Sequence, residues 1–258
     1  GSVAAFDTSR FGTFFEVPVG ENSVGGTLGS NPFNYTGVSV MASRPNTFVQ
    51  IDVDGNGTYD QSQTLDEGET MFLNGGLSQG ARIAANQPVQ AHLLTGDRTA
   101  SYEDRWFELF PVAVWDNSYF ASAVTAAGSN SGDRTELWVY NNKSSSISVD
   151  VEGPSGTLTT LTVPARGVAR YSPPASTAVE LTSASTFYAL GAIGTQTPAN
   201  SEVHDWGYTL VPTSVLTPSV VIGWAPGNSA SPPSQNYSAV WVAATSATTI
   251  YVDYDGDG

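Results

Sequence analysis

The sequence holds no cysteine, and among its 258 residues there are only two histidines, two methionines and a single lysine, Lys143. The missing thiols exclude disulfides, thiolate metal sites and cysteine nucleophiles together, and they leave the compartment undefined by redox logic. Positive charge is scarce throughout: nine Lys and Arg stand against 24 Asp and Glu, a formal net charge of −15. Such a field repels nucleic acid and anionic membranes and attracts cations, so the charged partner it predicts is a metal ion or a basic surface. No run approaches the roughly 18 to 20 apolar residues of a membrane-spanning helix. Residues 1 to 20 show no basic stretch ahead of an apolar one, so any export signal lies outside them. An apolar period of 3.6 over a helical length is missing as well.

What is present is apolar and aromatic: 40% hydrophobic and 11% aromatic residues exclude a disordered polymer and suffice for one large core or a few small ones. Short alternating runs rich in Val, Thr, Tyr and Phe, such as ELWVYN, SISVDVEG, TLTTLTVP and TFYALGAIG, lie between clusters of Gly, Pro, Asn and Ser. This pattern predicts an all-β chain.

Self-similarity organises it. NYTGVSVMASRPNTFVQIDVDGNG (34–57) returns as NYSAVWVAATSATTIYVDYDGDG (236–258), and ISVDVEG (147–153) repeats VQIDVDG (49–55). A spacing of 98 residues relates Val49 to Ile147 and also lays AANQPVQAHLLTG (84–96) on TSASTFYALGAIG (182–194). A connecting element, DRWFELFPVAVW (104–115), answers HDWGYTLVPTSV (204–215), with RFGTFFEVPVG (10–20) as a weaker copy. The expected organisation is an array of units of about 100 residues. Residues 1–30 end a preceding repeat or form a connecting element, 31–128 and 129–230 are two β repeats, and 231–258 starts a third. A unit of this size suits an antiparallel β-sandwich of immunoglobulin-like size, with a β-propeller of two four-stranded blades per repeat as the alternative. Alternation puts Val49, Ile51 and Val53 on one face, and Ile147, Val149, Val151 and then Ile250, Val252, Tyr254 repeat that apolar face. The last copy stops in its turn, so its strand is expected either to continue in a longer chain or to pair, edge to edge, with a neighbouring subunit of a filament.

The acidic stretch IDVDGNGTYD (51–60) carries the main candidate site. With Asp52 as position 1 of a calcium loop, Asp54 falls at 3, Asn56 at 5, Gly57 at 6, Thr58 at 7 and Asp60 at 9. Calcium takes six to eight oxygens, and side chains at 1, 3, 5 and 9 with a carbonyl at 7 can wrap one ion around a glycine corner. Position 12 is Gln63 where a bidentate glutamate is usual, so Asp66, Glu67, Glu69 or water would complete the shell. The competing reading is an ordinary Asp-Gly/Asn-Gly hairpin turn. Asp253, Asp255 and Asp257 begin the same loop again, whereas DVEGPSG keeps Asp150 and Glu152 but puts Pro154 and Ser155 where ligands belong.

Catalytic patterns are weaker. GLSQG (76–80) fits the serine-hydrolase elbow with Ser78 as nucleophile, but the elbow needs a following helix and none is predicted. His92 maps onto Leu190 of the neighbouring copy and reads as a structural slot, and His204 lies beside Asp205. Glu103, Asp104 and Glu108 could do glycosidase work, yet Arg105 offers them salt bridges and Trp106 and Phe107 look like packing anchors. Trp106, Trp115, Trp138, Trp206, Trp224 and Trp241 could stack on sugars, though their recurrence at strand positions favours the core for most.

The order of pieces from 38 to 125 resembles the β-rich N-terminal domain of the IgGFc-binding protein family and its copies in bacterial surface proteins. NTFVQIDVDG, QTLDEGET, ARIAANQPVQAHLLTGD and RWFELFPVAVWDNSYFASAV carry the likeness. The resemblance implies an extracellular, non-enzymatic binding or structural module, without carrying over any binding residue. The sequence thus predicts a calcium-stiffened extracellular repeat protein acting as a structural, adhesive or matrix component of a cell surface. A carbohydrate-binding module that reads surface glycans, and a hydrolase using Ser78 or Glu103/Asp104, are the alternatives.

Overall fold

A computed structural model of the chain describes residues 8–23, 32–98, 104–123, 134–193, 195, 207–220 and 242–253. The described residues contain strands and three short 3-10 turns but no α-helix. The strands are β1 (Gly12–Glu16), β2 (Tyr35–Ala42), β3 (Thr47–Asp52), β4 (Gln61–Leu65), β5 (Thr70–Leu73), β6 (Arg82–Gly96), β7 (Arg105–Leu109), β8 (Asp116–Ser122), β9 (Thr135–Asn141), β10 (Ile147–Gly153), β11 (Gly156–Val163), β12 (Gly167–Tyr171), β13 (Ala178–Ile193) and β14 (Gly207–Thr209). The all-β expectation holds.

These strands make two seven-stranded antiparallel sheets with one connection pattern: β4-β3-β6-β2-β5 with β1 and β7 also on β6, and β11-β10-β13-β9-β12 with β8 and β14 also on β13. Each sheet turns on its long strand. The first half of β6 pairs with β3 as far as Ala85 and with β1 as far as Ala84, β1 then shifts register so that Gly12 faces Val89, and from Val89 onward β6 pairs with β2 and, from Ala91, with β7. Between the halves sits AANQP, whose Pro88 has no N–H to give a ladder. Its polar groups bond instead to the start of β3 and the turn before it: Phe48 N–H donates to Asn86 Oδ1 at 2.8 Å, and Gln87 Nε2 donates to the Pro45 carbonyl at 2.8 Å. In β13 the small polar run Ser183 to Thr186 takes the same place, and Ser183 Oγ donates to the Ser148 carbonyl at 2.7 Å.

Because the long strand serves two layers, its inward residues on either side of the bend share one core. Ile83, Val89, Ala91 and Leu93 of β6 join Val49 and Ile51 of β3 and Val38 and Val40 of β2. Leu181, Phe187 and Ala189 of β13 join Val149 and Val151 of β10 and Leu137 and Val139 of β9. Burial of each such side chain stabilises the fold by about 1.5–3 kcal/mol. This is a sandwich closing towards a barrel and not a ring of blades.

The second unit packs on the first through the opposite face of β9 and β13. Trp138, Tyr140, Tyr188, Leu190 and Ala192 belong to the first unit's core cluster. Phe33 meets Trp138 edge-on at 4.8 Å, and Trp115 lies 5.3 Å from the Tyr188 ring. Arg105, fully buried, donates from Nη2 to the Ile193 carbonyl at 2.8 Å, and Thr209 Oγ1 donates to the Glu108 carbonyl at 2.7 Å.

Three expectations are corrected by the ladders. Ile51 faces Ile83 while Val151 faces Leu181, so the sequence spacing that sets Ile51 on Val149 runs two residues out of step. A slip of two keeps every side chain on its face, which is why the apolar pattern could not reveal it. RFGTFFEVPVG forms β1, which lies on β6 as β8 lies on β13, so its counterpart is the strand after the connecting element. Finally, residues 242–253 form no strand, and Ile250, Tyr251 and Val252 are 50%, 90% and 52% exposed. β3 and β10 are each held between two partner strands, and among the described residues no strand flanks this segment.

Candidate metal centre

The acidic loop joins β3 to β4. Asp52 is the last residue of β3, opposite Arg82 of β6, and is only 1% exposed although alternation assigns it to the polar face. The loop itself covers it. Gly57 and Asn56 N–H donate to its two carboxylate oxygens at 2.8 and 3.1 Å. Asp54 accepts from Asn56 N at 3.0 Å and from Asn56 Nδ2 at 2.8 Å, Thr58 N–H donates to Asn56 Oδ1 at 2.8 Å, and Asp60 Oδ2 accepts from Val53 N at 2.9 Å. The loop backbone is therefore fixed by its own carboxylates.

Asp52, Asp54 and Asp60 each offer an oxygen within 4.8 Å of the others. At that separation two unit charges repel by about 1 kcal/mol in water and by roughly 3–4 kcal/mol at an effective dielectric of 20. Each carboxylate oxygen has two lone pairs, so an oxygen held by one amide still has capacity for a cation. Beside the loop, Arg82 is engaged by Glu16, with its Nε 3.6 Å from Glu16 Oε1. Burial pushes the Glu16 carboxyl up, against the pull of Arg82.

GLSQG, the candidate nucleophile elbow, braces this loop. Ser78 N–H donates to the Val53 carbonyl at 2.9 Å, Leu77 is fully buried, and Gly80 N–H donates to the Val17 carbonyl at 2.8 Å. A Cβ on Gly55, whose φ is +72°, would lie 2.5 Å from the Gly80 carbonyl oxygen. The pentapeptide runs into β6 and no helix follows it. Sequence reasoning missed this packing, because only Gly-rich composition hinted at a close backbone approach.

Glu21 anchors the same corner. Its Oε1 accepts from Gly76 N at 2.6 Å, Thr36 N at 3.2 Å and Arg98 Nη2 at 2.8 Å. Partial burial pushes its carboxyl up, but the bonds from Gly76, Thr36 and Arg98 outweigh it and hold the carboxyl below its usual range. A lowered carboxyl stabilises the fold above the ordinary carboxyl range, and that contribution is lost as pH falls through the folded value. Glu21→Gln is thus expected to lower stability by about 1–2 kcal/mol at neutral pH, a gap that closes on acidification below about pH 4. Urea unfolding of both proteins along a pH series measures it, and a gap that stays constant would contradict the assignment.

In the second unit the hairpin has no room for a site. β10 runs into β11 with Gly153 paired to Gly156, and Thr160 Oγ1 donates to Asp150 Oδ1 at 2.6 Å. By ladder position the counterpart of Asp52 is Glu152, facing Glu180 where Asp52 faces Arg82. In the last copy only Asp253 is described, and Asp255 and Asp257 lie outside the described residues.

The remaining candidates scatter. His92 Nε2 lies 2.6 Å from Glu108 Oε2 on the outer face of β6 and β7. Trp115 and Trp138 are buried and Trp106 is 37% exposed. Glu103, His204, Trp206, Trp224 and Trp241 lie outside the described residues, and Asp104 is exposed. No set of these forms a nucleophile–base pair among the described residues.

No curated protein matches the sequence. A family model described as IgGFc binding protein matches residues 6–258, far beyond the stretch 38–125 that carried the resemblance, and spans both sheets in one match. With nearly its whole length matched, the chain belongs to the IgGFc-binding protein family.

Proposed function

We propose that this family member is an extracellular, non-enzymatic module in which the loop at 52–60 binds calcium and the two β units form a structural, adhesive or matrix component of a cell surface. The family's description favours protein partners over a small-molecule substrate. No helix among the described residues is long and apolar enough to cross a membrane. The observation that carries the calcium reading is the approach of the Asp52, Asp54 and Asp60 oxygens to within 4.8 Å on one braced loop. Asn56 and the Thr58 carbonyl stand in sequence where a calcium loop takes its remaining protein oxygens. The shared connection order of the two sheets supports the tandem-repeat reading. Asp255 and Asp257, with Asp253, belong to the proposal as a second site.

Calcium bound to the native state alone stabilises it by about 2.7 kcal/mol at one hundred times its dissociation constant. For a chain of this size that is a rise of roughly 5–10 °C in melting midpoint over the same protein in EDTA. Asp60→Asn is expected to lose most of the rise, while Asp150→Asn keeps it, since the Asp150 carboxylate bonds to Thr160 on an exposed strand. An EDTA midpoint equal to the calcium midpoint in the wild-type protein would sink the reading.

A further inference from the structure

The chain contains two Asn-Gly pairs, Asn56–Gly57 and Asn74–Gly75. At such a pair the backbone nitrogen of the glycine can attack the asparagine carboxamide, because no Cβ on the glycine stands in the way. The two pairs are held in opposite ways. Asn74 Oδ1 accepts from the Tyr35 hydroxyl at 2.8 Å, Gly75 N–H donates to the Leu73 carbonyl at 3.2 Å, and the next amide, Gly76 N–H, donates to Glu21 Oε1 at 2.6 Å. The carboxamide oxygen of Asn74 and both amides that follow it are thus engaged elsewhere.

At Asn56 the same groups are turned on one another. Thr58 N–H donates to Asn56 Oδ1 at 2.8 Å, an Asx turn that bends the carboxamide back over the Gly57 nitrogen between them. That amide also sits where negative charge grows on the oxygen when the carbon is attacked, as an oxyanion donor does. Gly57 N–H donates to Asp52 Oδ2 at 2.8 Å, so the proton that must leave already has an acceptor. Asn56 Nδ2, the leaving nitrogen, donates to Asp54 Oδ2 at 2.8 Å. Nucleophile, electrophile, oxygen donor and proton acceptor therefore lie within one loop of the folded chain.

We propose that Asn56–Gly57 is a self-modifying peptide: the folded loop closes the Asn56 side chain onto the Gly57 nitrogen and then, with water as the only co-reactant, converts it to aspartate or isoaspartate. In the first step a bond forms between Gly57 N and Asn56 Cγ, and the Cγ–Nδ2 bond breaks. The proton that Gly57 gives up to Asp52 is balanced by the one that the leaving nitrogen gains, beside Asp54, as it departs as ammonia. Water then opens the cyclic imide and restores the proton on Gly57 N. Opening at the side-chain carbonyl leaves aspartate on an ordinary backbone, and opening at the main-chain carbonyl leaves isoaspartate with an extra backbone carbon. No electron is transferred in either step. Both products add a carboxylate to the loop that already holds Asp52, Asp54 and Asp60, so each molecule changes its charge there once and irreversibly. The inference rests on the hydrogen bonds of the loop and not on calcium.

The test is peptide mapping by mass spectrometry of the full chain incubated at neutral pH in EDTA, both folded and unfolded in urea. In the folded protein, conversion at Asn56 is expected to run at least tenfold faster than at Asn74, and at least tenfold faster than at Asn56 in urea, where the loop bonds are gone. Asp52→Asn lowers the folded rate at least tenfold and leaves the rate in urea unchanged, with circular dichroism checking that the variant folds. Asp54→Ser takes its place if it does not. A rate at Asn56 no higher in the folded protein than in urea, equal rates at Asn56 and Asn74 in the folded protein, or a folded rate that the substitution leaves unchanged overturns the proposal. Working in EDTA keeps this outcome independent of the calcium site, which the melting midpoints read separately.

Discussion

Trp138→Ala is expected to cost about 3–5 kcal/mol and to uncouple the unfolding of the two β units. Trp138 is 1% exposed, meets Phe33 at 4.8 Å and has the Arg170 guanidinium 5.0 Å from its ring. None of these partners belongs to the second unit's own core, which is built from the alternate residues Leu137 and Val139 of the same strand. Truncation therefore opens a cavity at the contact between the units and leaves the second sandwich intact. Urea unfolding followed by tryptophan fluorescence and by far-ultraviolet circular dichroism should give separate transitions for the variant and coincident ones for the wild type. Trp138→Phe should cost far less, since it keeps an aromatic ring and removes an indole N–H that lies buried with no acceptor among the described residues. A single transition with a loss under about 1 kcal/mol for the alanine variant would contradict the coupling.

Gly55→Ala is the second large effect, and here the loss falls on the site. A non-glycine residue at φ of +72° costs roughly 1–2 kcal/mol by itself, and the added Cβ would sit 2.5 Å from the Gly80 carbonyl oxygen, which is backbone and cannot rotate away. The GLSQG loop has to retreat, breaking the Ser78 N–H bond to Val53 that fixes the start of the acidic loop. The expected total is about 3 kcal/mol, with calcium affinity falling at least tenfold. Gly76→Ala separates the two causes: its φ of +90° carries the same backbone cost, but nothing lies within 4 Å of the added methyl. Equal destabilisation of the two variants in denaturant melts would show that the close approach contributes nothing.

Much of this was legible in the chain. Alternation of Val49 and Ile51, or of Val149 and Val151, names the buried faces, and the recurrence of ELFPVAVW and TLVPTSV marks a connection that the structure builds twice with nearly the same dihedrals. What pattern could not supply was register. Apolar alternation repeats every second residue, so it is blind to the two-residue slip that puts Glu152, rather than Asp150, in the place of Asp52. Nor could it supply the burial of Asp52, which comes from the loop folding back on its carboxylate. The partnership of Gly55 with Gly80 and of Glu21 with Gly76 joins segments distant in sequence, and only the assembled sheet brings them together. The strand expected at Ile250 to Tyr254 fails, as far as its residues are described, because alternation needs a neighbouring strand before it becomes structure.

Whether the loop at 52–60 binds calcium is answered by calorimetric titration of calcium into the EDTA-treated, desalted chain. Saturable binding is expected, which Asp52→Asn and Asp60→Asn each abolish at the 52–60 loop while Asp150→Asn leaves it unchanged. Heats no larger than those of dilution, or binding that survives both substitutions, would contradict it.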